Sequence, residues 1–330
     1  MPSAFPRLVH IQGLIDQYGI EETARLENMK IESVHRYERE YRRLTNNRTA
    51  KIGLLDIETA PVDVYVWQLK RNDYIHIQQI VNEWFMLCWR GKWLFGDEVF
   101  GGRLTAKEAI GKDDQHICND LWKFLDEADI IIGHNVENFD IKKANARMFI
   151  KHGLPPYSPI QTIDTLKQSR RIFGCGAESH KLDWLCRKFG LPGKYEMGFQ
   201  YWRDCIGEAV HSEVKTNDKN VIESIIYDKK IVDSALQTMY EYCGNDTSIL
   251  EELYLKLRPY MKSHPNLNLY MDGKENHCSH CGSDKLQATG KAYFTPAGKY
   301  QCHQCKNCGA FVRMKSREIM QVNEIRSLAR

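Results

Sequence analysis

The stretch GLLDIETAP, residues 53–61, restricts what this chain can fold into more than any other. Its apolar run reads as a buried strand, and the run ends in two acids, Asp56 and Glu58. Side chains at i and i+2 of a strand share a face. Like charges that close repel, and burying them unpaired costs several kcal/mol or shifts their pKa. A bound cation is one way to make the pair tolerable.

Strand-like and helix-like segments alternate over residues 50–265. KIGLLDIE and DIIIGHN read as strands, and WFMLCWRGKWLFG as a strand pair turning near Arg90–Gly91. HICNDLWKFLDEA places Ile117, Leu121, Phe124 and Leu125 at helical spacing. DIKKANARMFIKHG predicts a helix ending at Gly153, PIQTIDTLKQSRRIF a strand then a helix, and SHKLDWLCRKFGL a helix with a Ser start and a Gly stop. The segment from Asp233 to Met261 reads as helical with an interruption near Gly244. That order predicts an α/β domain with a mixed sheet covered by helices and a hairpin near its start.

Two flanking regions differ in character. Residues 1–48 read as three helices broken at Tyr18–Gly19 and after Leu26, with Ile20, Ala24 and Leu26 on one apolar face and Val34, Tyr37 and Tyr41 on another. Arg36, Arg39, Arg42 and Arg43 on the last helix suit a helix-turn-helix that reads DNA. Glu38 and Glu40 dilute that charge, and a small capping bundle fits the pattern as well. Residues 272–317 carry Cys278-x-x-Cys281-Gly and Cys305-x-x-Cys308-Gly on either side of a hairpin-like stretch. Thiolates at this spacing form a closed tetrahedral zinc site, with Gly282 and Gly309 permitting the turn after each knuckle. Cys302-x-x-Cys305 has the same spacing, but the glycine after Cys308 favours the later pair. The pattern resembles a zinc ribbon. Its edge residues Lys285, Lys291, Lys299, Arg313, Lys315 and Arg317 could grip nucleic acid or keep the module soluble.

The other six cysteines, Cys88, Cys118, Cys175, Cys186, Cys205 and Cys243, read as small buried hydrophobes of a reduced protein. With 42% hydrophobic and 27% charged residues, no apolar run of about 18 residues and no signal-peptide pattern, the expectation is a cytoplasmic protein without a membrane partner. A net charge of +3 permits a nucleic-acid partner without arguing for one.

Acids recur at element ends elsewhere: Asp140 in GHNVENFD, and Asp246 in YEYCGND, one helical turn after Tyr242. Four acids converging at strand ends suit two hard divalent cations. D-x-E after an apolar strand, then N-x-x-x-F-D, then Y-x-x-x-D, resembles the three motifs of the DEDDy 3′-to-5′ exonucleases. The resemblance spans most of residues 50–262, in the family's motif order. The surrounding sequence is most similar to phage and bacterial family-B-polymerase-like exonucleases that lack a polymerase.

That resemblance implies a ribonuclease H-like mixed sheet flanked by helices, and hydrolysis of a terminal phosphodiester to release nucleoside 5′-monophosphates. It implies that Asp56, Glu58 and Asp246 hold one magnesium or manganese ion. Asp56 would bridge to a second ion helped by Asp140, and Tyr242 would orient the attacking water. Glu58 would also reach the terminal 3′-hydroxyl. DNA is the expected substrate on the resemblance alone. Thr59 and Asn135 would shape the site, although a turn-stabilising side chain explains Asn135 equally well. Lys167, Arg170 and Arg171, with Lys142 and Lys143, could track a phosphate backbone or form solvated helix faces. The competing reading is a DNA-binding or recombination protein whose ribonuclease H-like core is a scaffold. Such a protein needs neither the D-x-E pair nor Tyr242.

Overall fold

The computed structural model describes residues 5–44, 50–68, 74–207, 211–216, 222–271, 276–295 and 298–314. Two compact units divide the chain: Lys51–Leu257, and Met1–Ala50 together with Arg258–Arg330.

The N-terminal segment forms α1 (Phe5–Tyr18), α2 (Ile20–Leu26) and α3 (Ile31–Leu44). Gly19, at φ 78, separates the first two. Ile11, Ala24 and Val34 meet in a small core with Ile20 and Tyr37 against it. Leu26, expected on the apolar face, is exposed, because it ends α2 where the chain turns through Asn28 at φ 50. The side chains of Arg39, Glu40, Tyr41, Arg42 and Arg43 lie outside the described residues.

The larger unit is built on β1 (Ile52–Thr59), β2 (Asp63–Val64), β3 (Ile80–Asn82), β4 (Met86–Trp93) and β5 (Val99–Arg103). There follow α4 (Ala106–Gly111), α5 (Gln115–Glu127), β6 (Ile130–Gly133), α6 (Asp140–Asn145), β7 (Gln161–Asp164), α7 (Thr165–Phe173), α8 (Leu182–Lys188) and α9 (Gln200–Cys205). A hairpin of β8 (His211–Thr216) and β9 (Ile222–Tyr227) leads into α10 (Lys229–Leu257). Five strands form one sheet in the order β5-β4-β1-β6-β7. β1 pairs antiparallel with β4 and parallel with β6, and β7 extends the parallel side. This is the mixed, helix-flanked sheet that a ribonuclease H-like fold requires. Leu54, Leu55 and Ile57 of β1 are buried, and α5 buries Ile117, Leu121, Phe124 and Leu125 as its spacing predicts. Each such side chain contributes roughly 1.5–3 kcal/mol by leaving water. No helix among the described residues is long and apolar enough to cross a membrane.

Several expectations need correction. β4 runs straight through Arg90–Gly91, and the chain turns instead at Phe95, φ 66. A Cβ on Gly91 would meet Trp89, Phe100 and Phe124 at 3.1–3.2 Å, so this glycine serves aromatic packing and makes no turn. α10 is likewise unbroken at Gly244, where a Cβ would lie 2.9 Å from Arg90 Nε. The Arg90 guanidinium, 3.9 Å above the Tyr240 ring, occupies the space the glycine leaves. α6 passes into a π-helical turn, Ala146–Lys151, before Gly153. In that turn Arg147 donates twice to the buried Asp114, at 2.7 Å each, and His152 contacts the same carboxylate at 2.6 Å. α8 begins at Leu182, beyond the predicted Ser start, and ends before Gly190 at φ 70. Five of the six scattered cysteines are buried, but Cys175 is exposed in the tight turn Gly174–Gly176.

The C-terminal segment forms a three-stranded antiparallel sheet of β10 (Leu286–Thr295), β11 (Gly298–Cys305) and β12 (Phe311–Arg313). Residues 272–275, Lys315 and Arg317 lie outside the described residues.

Candidate active site

β1, β6 and β7 are parallel, so their C-terminal ends share one edge of the sheet. Asp56 and Glu58 lie near the end of β1, with a register shift between Glu58 and Thr59. A bulge at that place re-aims the side chains beside it. Asp140 opens α6, and its Oδ1 accepts a 3.1 Å hydrogen bond from the backbone N–H of Ile57. Asp246 lies on α10, one turn after Tyr242. Carboxylate oxygens of Asp56, Glu58 and Asp246 all fall within 4.8 Å of one another, and these residues form a group that can hold a metal ion.

Electrostatics show how poorly the acids tolerate this proximity. Burial, reinforced by the charge of Asp246, pushes the Asp56 carboxyl up to about 7. Burial and the Asp56 charge drive Glu58 and Asp140 well above the ordinary carboxylate range. Burial raises Asp246 as well. Its Oδ1 is buried and finds no hydrogen-bond partner among the described residues. An orphaned carboxylate oxygen beside mutually repelling acids is what a hard, oxygen-seeking divalent cation would satisfy.

Three groups at this site escaped the sequence reading. Lys194 Nζ contacts Asp246 Oδ2 and lies 5.4 Å from the Tyr242 ring centroid. Burial opposes its charge, yet Asp246 and Asp56 hold the ammonium above its ordinary value. Its own backbone N–H is fixed by Asp183 Oδ1 at 2.9 Å. Cys243, read as a plain hydrophobe, donates its S–H to Asp56 Oδ2 at 3.2 Å. Asp164, at the end of β7, accepts from the backbone N–H groups of Asn135, Glu137 and Lys167 at 3.0–3.3 Å. This buried carboxylate therefore fixes the loop that delivers Asp140.

The other residues around the site, the expected ones among them, have definite places. Thr59 closes β1, half-buried. Asn135 adopts φ 74, and its carbonyl accepts from Asn138 and Phe139, which is a turn role. Phe139 packs against the core. His134 Nδ1 lies 2.9 Å from Thr165 Oγ1, and burial lowers its pKa to about 4. Lys167, Arg170 and Arg171 share the exposed side of α7, and Lys167 pairs with Glu137 at 2.8 Å. Lys142 donates to Asn138, and Lys143 lies over the Trp84 ring at 3.7 Å.

In the C-terminal segment, Cys278, Cys281, Cys305 and Cys308 form a second group able to hold a metal. Cys278–Cys308 and Cys281–Cys305 sulfur pairs are each 3.6 Å apart. A tetrahedron with zinc–sulfur bonds of about 2.3 Å has edges of about 3.8 Å. Each knuckle closes with the glycine N–H donating back to the first cysteine, and Gly282 and Gly309 stand at φ 70 and 79. Cys302 lies on β11 opposite Arg313, outside this group.

No protein-family profile and no curated protein matches the chain. Among solved structures, it is similar to the family B DNA polymerase from the hyperthermophilic archaeon Pyrobaculum calidifontis. The match has 14% identity and a TM-score of 0.41, and covers 72% of this chain. The chain spans about a quarter of that polymerase, 26% of its length.

Proposed function

We propose that this protein is a metal-dependent 3′-to-5′ exonuclease acting on DNA in the cytoplasm. In this reading residues 50–265 form the nuclease domain, 1–48 a helical module and 272–317 a zinc ribbon. The convergence of Asp56, Glu58, Asp140 and Asp246 from three distant segments, beside Tyr242, carries the reading. Asp56, Glu58 and Asp246 would hold one magnesium or manganese ion, and Asp56 with Asp140 a second. Such a pair supplies an acidified water and charge stabilisation for the departing oxygen.

The chain's own groups do the rest. Tyr242 is a poor base at neutral pH, since burial raises its pKa above the ordinary phenol value. Its hydroxyl therefore acts by orienting water through a hydrogen bond. Cys243 fixes one oxygen of Asp56, and the Ile57 N–H fixes one oxygen of Asp140. Lys194 balances the acids and places a positive charge 5.4 Å from the Tyr242 ring centroid, on which a phosphate could settle. Cys278, Cys281, Cys305 and Cys308 would hold one structural zinc ion, with Cys302 spare.

The test is digestion of end-labelled single- and double-stranded DNA and RNA with magnesium, manganese or chelator. Stepwise loss of mononucleotides from 3′ ends is expected, with Asp246→Asn at least about a hundredfold slower. Metal-independent cleavage, or an undiminished Asp246→Asn variant, would overturn the assignment.

A further inference from the structure

Beyond Asp140, the helix it opens runs into a buried cluster of charge that the proposed chemistry does not use. Asp114, at the start of α5, is fully buried, and the side chains of Arg147 and His152 are only 6% and 8% exposed. The Asp114 carboxylate accepts four hydrogen bonds. Arg147 Nε and the Met86 N–H reach Oδ2 at 2.7 and 2.8 Å, and Arg147 Nη2 and His152 Nε2 reach Oδ1 at 2.7 and 2.6 Å. That fills the roughly four lone-pair positions of a carboxylate. The Cys118 thiol lies within 4.8 Å of Asp114 and His152, a set of donors with the spacing of a metal site. With the carboxylate saturated and a guanidinium seated on it, however, the group is a clasp. Apolar residues would fill the same space without taking ions out of water. What the clasp adds is direction.

The π-helical turn makes the clasp possible. Five residues apart on an α-helix, two side chains point about 140° away from each other. Here the His152 N–H donates to Arg147 O at 3.0 Å, the i→i+5 bond of a π turn, and this brings both side chains onto one carboxylate. Arg147 in turn follows Asp140 by two helical turns, and both face the interior. The helix is therefore fastened to the sheet at two points. At its start Asp140 Oδ1 accepts from the N–H of Ile57, the residue after Asp56. At its end Arg147 grips Asp114, which accepts from Met86, and Met86 pairs with Thr59, the residue after Glu58. Arg147 Nη1 also reaches the carbonyl of Trp84, just before β4, at 3.4 Å. One point alone would leave the helix free to rotate; two points set where the Asp140 carboxylate stands.

We propose that Asp114, Arg147 and His152 are positioning residues of the nuclease: through the π turn they hold α6 so that Asp140 stands beside Asp56 and the second divalent ion binds. The proposal rests on the exonuclease reading and deepens it. The clasp touches neither substrate nor ion. It acts through Asp140 alone, so the ion held by Asp56, Glu58 and Asp246 does not depend on it.

The test counts bound ions apart from cleavage. Electron paramagnetic resonance of manganese titrated into the full chain compares wild type with Arg147→Lys and with the pair Asp114→Leu, Arg147→Met. Lysine keeps the charge and loses the fork. The apolar pair removes both charges, a replacement that buried ion pairs commonly tolerate. Wild type should bind two manganese ions at the acids. Both variants should keep the first and hold the second roughly 10- to 100-fold more weakly, the scale for disturbing groups that orient metal ligands. Asp140→Asn should weaken the same ion, and adding it to either variant should cost nothing further, because both changes act through one carboxylate. Single-turnover cleavage should fall while oligonucleotide binding holds, and should recover as manganese is raised. Wild-type affinity for the second ion in the folded apolar pair, or in Arg147→Lys if the pair does not fold, overturns the proposal and leaves the clasp to stability alone. Loss of both ions together in a folded variant overturns it too. A wild type that binds two ions and cleaves no end-labelled nucleic acid would refute the exonuclease and keep the clasp; one that binds none refutes both.

Discussion

Asp56→Asn should make the metal-free protein more stable while abolishing its activity. In the fold the Asp56 carboxyl sits near 7, against an ordinary value of 3.8. A raised acid pKa means that the native state binds its proton more tightly than the unfolded chain does. The associated stability is complete below about pH 4 and is lost as pH rises through 7. A difference of about 3 units at 1.36 kcal/mol each gives on the order of 4 kcal/mol lost by pH 8. The side chain is half-buried, and solvent screening reduces this to roughly 2–4 kcal/mol. Asparagine removes the charge and keeps an oxygen for the Cys243 S–H. Chemical denaturation in chelator at pH 5, 6, 7 and 8 provides the assay. The variant should lead by a margin that widens with pH, and magnesium at pH 8 should narrow or reverse it by stabilising only the native protein. A variant no more stable than wild type at pH 8, or a margin indifferent to pH, would refute the argument that burial, reinforced by the Asp246 charge, disfavours an ionised Asp56 in the metal-free protein.

Two further outcomes follow from the same geometry. Tyr242→Phe keeps the ring against Trp202 and should change stability by no more than about 1 kcal/mol. Single-turnover cleavage of a short oligonucleotide should nonetheless slow while binding holds, and a wild-type rate would remove the phenol from the mechanism. Metal analysis should find one zinc per chain in wild type and Cys302→Ser, and loss of it in Cys308→Ser. The opposite pattern would shift the ligand set to Cys302.

The sheet and the acids were legible because period and spacing are local properties. Apolar runs at Ile52–Ile57 and Ile130–Ile132 had to be strands, and helical spacing placed Tyr242 over Asp246 before any fold was known. What escaped depends on distant partners. Gly91 and Gly244 look like breaks, yet each is a gap filled by a side chain remote in sequence, Phe124 for one and Arg90 for the other. Lys194 lies in a loop without periodicity, and only the long return of α10 brings Asp246 to it. Asp164 resembles an ordinary helix cap until the neighbouring β6 loop is seen to hang from it.

Because Asp56, Asp140 and Asp246 come from β1, α6 and α10, the set is assembled across nearly the whole length of the unit. During synthesis the first two emerge long before the third, so a nascent chain can hold all five strands of the sheet, the last ending at Asp164, and still lack a complete set of ligands. On the proposed reading the enzyme is silent while it is being made. On the same reading a product cut short before α10 would be inactive, however well its strands had paired.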